Sequence, residues 1–215
     1  MRTFCFGKLV FAAIAVGAML IAATPSASAD SVVNFSLSSN NLGIPGSIGT
    51  VKVSSTGADQ VTVNIMMNAG YSIKLQGGDI AFSGPSGSLT VSGLTAFSST
   101  NTFTGLNFKG LKTSQNISQF GTFSFDYTNI KGQPNGVVSA NSLTFVLTGS
   151  GLSASQFTNL AIHFCTASGT SCGPQTGFAS STRTATVVPE PGTVTLLGSG
   201  LIGLAGFVRR RLRSL

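Results

Sequence analysis

Apolar residues alternate with polar ones in short runs through the middle of this chain. The runs are Val33, Phe35 and Leu37; Val51 and Val53; Val61, Val63, Ile65 and Met67; Tyr71, Ile73 and Leu75; Ile80 and Phe82; Leu89 and Val91; Phe123, Phe125 and Tyr127; Leu143, Phe145 and Leu147; and Leu160, Ile162 and Phe164. Successive strand side chains point to opposite faces, so a period of two describes a strand with one buried and one wet face. The spacers carry turn chemistry: Gly43-Ile44-Pro45-Gly46, Gly77-Gly78, Ser83-Gly84-Pro85, Gln133-Pro134-Asn135-Gly136 and Gly149-Ser150-Gly151. About nine or ten strands at such spacing predict an all-β fold, an antiparallel β-sandwich or jelly roll. Within this body helix is expected only as a turn near Ser153 to Phe157; an N-terminal signal helix and a C-terminal transmembrane helix are expected to flank it.

Composition supports a folded body and raises a question about charge. Of the 215 residues 42% are hydrophobic and 8% charged, against about 25% charged in an average domain. Mean hydropathy is +0.37, which excludes a disordered chain, because disorder combines few apolar residues with high net charge. The formal charge of +7 suggests nucleic-acid binding until the charges are located.

Six of the basic residues sit at the two ends. Residues 1–29 contain Arg2 and Lys8, an apolar run from Leu9 to Ala23, and Ala27-Ser28-Ala29 before Asp30. A basic start, an apolar stretch of about 15 residues and small residues at a cleavage site make a secretory signal peptide, with Ala27 and Ala29 fitting signal peptidase. At the other end an uncharged run covers 193–208 and Arg209, Arg210, Arg211 and Arg213 follow it. Sixteen helical residues span about 24 Å, against a hydrocarbon core of about 30 Å. Snorkelling arginines help such a helix to span, and they fix the C-terminus on the cytoplasmic side. Residues 30–192 keep six basic residues against five acidic ones, a net +1. Nothing basic remains there to grip nucleic acid, and none is expected as a partner.

The expected organisation is a signal peptide over 1–29, an exported β domain over 30–183, a linker over 184–192, a transmembrane sorting helix over 193–208 and an arginine-rich cytoplasmic tail over 209–215. Within the linker lies Val188-Pro189-Glu190-Pro191-Gly192. This motif, the apolar run with its glycines and the terminal arginine cluster together resemble the PEP-CTERM sorting signal of Gram-negative bacteria. The resemblance covers about 25 of the 215 residues. It implies that a membrane-embedded, cysteine-dependent exosortase recognises the tail and cuts at or near Pro189, Glu190 and Pro191. Two prolines hold that stretch extended, a conformation open to a protease just outside the bilayer.

Cys5 leaves with the signal peptide, so Cys165 and Cys172 remain as one pair in an oxidising compartment, where a disulfide is expected. A metal site or reactive thiol is the rival reading, with His163 as the nearest ligand. His163 is the one histidine. Alternation sets it opposite Ile162 and Phe164, on the solvent face or the sandwich edge. No Gly-x-Ser-x-Gly elbow presents a serine to it. The aspartates are dispersed, which leaves a carboxylate pair open, and the chain has no tryptophan to form a sugar platform. No catalytic residue, metal site or cofactor is therefore assigned.

The function expected from these features is that of a non-enzymatic surface or matrix protein, transiently anchored in the inner membrane and released to the outer surface. Its expected partners are signal peptidase, an exosortase-like membrane protease and exopolysaccharide, as in a biofilm. The alternative is a carbohydrate-binding module, and a secreted hydrolase is the third reading.

Overall fold

In the computed structural model, residues 31–98, 101–166, 170–184 and 200–201 are described. The signal segment 1–29, the sorting motif and the arginine tail lie outside them. Of the segment 193–208 only Gly200 and Leu201 are described, and both are helical. Among the described residues no helix is long and apolar enough to cross a membrane. The two flanking helices expected from the sequence therefore have no support in the structure.

Residues Asp30–Pro189 form a unit of their own. Their strands are β1 (Val32–Ser36), β2 (Ser39–Asn40), β3 (Gly49–Gly57), β4 (Gln60–Met67), β5 (Tyr71–Lys74), β6 (Asp79–Ser83), β7 (Thr90–Ser98), β8 (Asn101–Phe103), β9 (Asn107–Asn116), β10 (Thr122–Lys131), β11 (Ser139–Ala140), β12 (Ser142–Thr148), β13 (Asn159–Thr166) and β14 (Thr176–Thr184). The described helical structure of this unit is two 3-10 turns, Ser118–Phe120 and Ala154–Gln156. The second falls where a turn is expected from the sequence.

The strands run in the order β8-β7-β12-β4-β3-β1-β14-β13-β6-β10-β9, and every pairing is antiparallel. β8 to β1 make a first sheet and β14 to β9 a second. β5, β11 and β2 pair alongside the second. β14 is the corner between the sheets. Its residues from Thr176 to Thr182 pair with β13, and Arg183 and Thr184 pair with β1.

Register follows from burial. Val51 and Val53 lie opposite Ile65 and Val63, which lie opposite Leu143 and Phe145, and all six are fully buried. A slip of one residue would turn this whole row to water. Across the interior, Phe82 of β6 packs on Phe145 of β12 at 6.0 Å between ring centres and on Phe157 at 5.7 Å. Phe108 of β9 reaches Phe145 at 5.5 Å. These contacts show that the sheets face each other as a sandwich.

A second apolar cluster lies outside the sandwich. Ile117, Phe123 and the partly buried Phe120 pack with Ala81, Ala161 and Phe178. Ala161 is opposite Ala81 on β6 and Ser180 on β14, so small side chains leave room there for a covering segment. One turn has a strict glycine requirement. Gly84 has φ +117°, and a Cβ added there would run into the carbonyl oxygen of Gln156.

Truncation of Phe145 tests the sandwich directly. Phe145→Ala is expected to cost about 3–5 kcal/mol, read from the denaturant midpoint. Met66→Ala, at a side chain 57% exposed on the outer face of β4, is expected to stay within about 0.5 kcal/mol.

Candidate functional site

Among the candidate site residues, Cys165 and Cys172 fall within the described part of the chain. They form a disulfide, with 5.4 Å between their Cα atoms. Cys165 is fully buried near the end of β13, on the same face as Ala161 and His163, and Cys172 lies in the loop returning to β14. That loop is also tied down by backbone hydrogen bonds: the amides of Val138 and Ser139 donate to the Thr170 carbonyl at 2.8 and 3.2 Å. Closing so short a loop stabilises the fold by about 2–3 kcal/mol under the loop-entropy account. Ala27, Ala29, Pro189, Glu190, Pro191, Arg209, Arg210, Arg211 and Arg213 lie outside the described residues.

The structure assembles a charged group that spacing in the sequence did not reveal. Asp126 of β10 lies opposite Ala81 of β6 and Lys112 of β9, on the outer face of the second sheet. It is 2% exposed, and its Oδ1 has no hydrogen-bond partner. Burial pushes its carboxyl up to about 6, the neighbouring Asp79 adds to this, and Lys112 opposes it. Asp79 at the start of β6 is also raised by burial, against the pull of Lys112 and Lys74. Within the alternation of Phe123, Phe125 and Tyr127, Asp126 reads as an ordinary wet-face residue. Its burial depends on neighbouring strands brought in from distant parts of the chain.

His163 occupies the outer face of β13, as alternation predicts, but it is half-buried there. Its ring stacks on Phe178 at 4.4 Å, and its Nδ1 is buried without a partner. Burial lowers its pKa to about 4, with Lys74 acting in the same direction and a backbone hydrogen bond at Gly77 opposing. The imidazole is neutral at pH 7. Among the described residues no three His, Cys, Asp or Glu side chains are grouped so as to hold a metal ion.

Asp126 and His163 give opposite pH dependences. The folded state holds the Asp126 proton more tightly than the unfolded chain does, so this group's contribution falls as pH rises from about 4 to about 6. The folded state resists protonation of His163, so its contribution falls as pH drops from 6.5 to about 4. The two slopes offset each other across the shared window. Asp126→Asn is expected to leave the histidine slope alone, so that stability climbs between pH 4 and 6.5. At pH 7 it should exceed wild type by on the order of 1–2 kcal/mol, since a pKa unit corresponds to about 1.4 kcal/mol. Urea midpoints at pH 4, 5, 6 and 7 measure this; parallel curves for the two proteins would contradict the assignment.

No curated protein and no solved structure matches the chain. The family model for the PEP-CTERM protein-sorting motif matches residues 187–211, a stretch that holds Pro189-Glu190-Pro191, the apolar run and Arg209 to Arg211. Such a motif supports export, transient anchoring in the membrane and processing by an exosortase-type membrane protein. The chain carries a PEP-CTERM protein-sorting motif at its C-terminal end, on an antiparallel all-β body.

Proposed function

We propose that this is a non-enzymatic surface protein that crosses the inner membrane behind residues 1–29 and is held there by 193–208 and the arginines beyond. It is cut at Pro189-Glu190-Pro191, and its β body then associates with exopolysaccharide. The observation that carries the reading is the sorting motif at 187–211. Its three parts have separate physical tasks. The prolines hold the cutting site extended, the apolar run partitions into the bilayer, and Arg209, Arg210, Arg211 and Arg213 stay with the cytoplasmic headgroups.

The outer face of the first sheet favours association with a hydroxyl-rich polymer. Asn34, Lys52, Asn64, Thr144 and Thr95 follow one another across β1, β3, β4, β12 and β7. The Asn64 amide donates to the Thr144 hydroxyl at 2.7 Å. This row of mostly neutral donors and acceptors matches sugar hydroxyls and carries one charge, on Lys52.

Mass spectrometry of the protein recovered from the cell surface is expected to find Asp30 at its N-terminus and no peptide beyond about Gly192. Replacing Pro189, Glu190 and Pro191 by alanine is expected to leave an uncut, membrane-held form; an intact tail on the wild-type surface protein would overturn the processing step. Association is tested separately, by retardation of the exported protein in gels containing the producing organism's exopolysaccharide. Asn64→Ala together with Thr144→Ala is expected to reduce the retardation, and no retardation of the wild type would remove the polymer while leaving the sorting reading intact.

A further inference from the structure

The two sheets are joined along one side only. β14 turns the corner onto β1, whereas the strand path on the opposite side ends at β9 in one sheet and at β8 in the other. β8 covers β7 only from Ala96 to Ser98. Among the described residues, no strand pairs with the outward edges of residues 90–95 and of β9. Between these edges lies a cleft of ≈ 260 Å³, walled by Leu89, Val91 and Leu94 on one side and Phe108 and Leu111 on the other, with Tyr127 also in the lining. No charged side chain lines it. Leu111 is 43% exposed, one of the few large apolar side chains left in solvent among the described residues.

Free edges beside apolar surface attract other strands, and sheets ordinarily protect such edges with charge, proline or a covering segment. The two edges differ in this respect. β9 carries Lys109 and Lys112, and β7 carries no charge from Thr90 to Ser98.

Strand direction restricts what can occupy the open side. Eight strands separate β7 from β9 in the path, and every step is antiparallel, so β7 and β9 run in opposite directions. A lone strand inserted between them would be parallel to one neighbour, and parallel pairing is the weaker arrangement. A second copy, related by a two-fold axis along the strands, instead sets its β9 beside β7 and its β7 beside β9. Both seams are then antiparallel, and each sheet of one copy continues into the opposite sheet of the other. Pairing of β9 with β9 would set two lysine-bearing strands side by side, where like charges that fall opposite one another are destabilising. Pairing of β7 with β9 sets every lysine against an uncharged strand.

We propose that this open side is a homodimer interface, in which β7 of each copy pairs with β9 of the other at two symmetric seams and the apolar lining of the clefts is covered. The interface is isologous and closes on itself, so the product is a dimer and not a fibre.

Sedimentation velocity on the exported protein, recovered from cells producing the full chain, is expected to show a concentration-dependent dimer. Ser92 is exposed on the free stretch of β7, so Ser92→Lys adds like charge at both seams without entering the core. It is expected to raise the dimer Kd about tenfold. Adding Lys109→Glu to that variant is expected to restore the dimer, and Met66→Lys on the outer face of the first sheet is expected to leave it unchanged. Circular dichroism identical to wild type confirms that each variant is folded. A wild-type protein that stays monomeric overturns the proposal. So does a dimer indifferent to Ser92→Lys, or a loss that the glutamate does not reverse.

Discussion

Phe82 and Phe145 meet between the two sheets, and the rest of the body is arranged around that contact. Each ring comes from a strand in the interior of its own sheet, and each is fully buried. Around them the inward rows of β3, β4 and β12 align residue by residue, and the buried Ser55 at the end of the β3 row accepts a hydrogen bond from the Ala154 amide at 3.0 Å. Hydrophobic burial has no direction of its own, so the pleat and the register convert it into one arrangement. The polar partners of those rows then have one place to go, the outer faces. A body with few charged residues can remain wettable because Ser, Thr and Asn occupy those positions.

The outer face of the second sheet departs from this simple division. Small residues on β6, β13 and β14 let Ile117, Phe120 and Phe123 lie down on it, and the same face carries a buried carboxyl and a half-buried imidazole. Asp126 and His163 are both held away from their ordinary protonation behaviour by burial, in opposite directions. The body thus carries two titrations that offset each other between about pH 4 and 6.

The basic character of the whole chain belongs to its ends. Arg2, Lys8 and the four terminal arginines account for six of its seven units of net charge, and three of those arginines fall within the matched sorting motif at 187–211. The body between is nearly neutral. Reading the total charge as a property of the folded domain would have pointed to nucleic acid. Locating each charge along the chain points to transport.

Each of the nine alternating runs overlaps a strand, with Leu37, Leu75 and Leu89 falling just outside one, because a polar and an apolar face are written out at period two. Phe123 departs from that period by joining the outer cluster while Phe125 and Tyr127 face the sandwich. β9 and β14 were not legible in this way. β9 is an edge strand, largely exposed, so burial imposes no alternation on Asn107–Asn116. β14 changes sheets part-way along its length, and its buried residues Ala179, Ser180 and Ser181 are small, so no apolar period marks it. The sorting motif at 187–211 was legible because it is a short linear pattern, which needs no tertiary structure to exist. Local alternation likewise determined that the body would be antiparallel β. Which strands became neighbours, which edge closed through β14 and which stayed open, and that Asp126 would be stripped of water were decided only by the tertiary structure. Each of these depends on residues far apart in the chain arriving side by side, and period and composition carry no record of that.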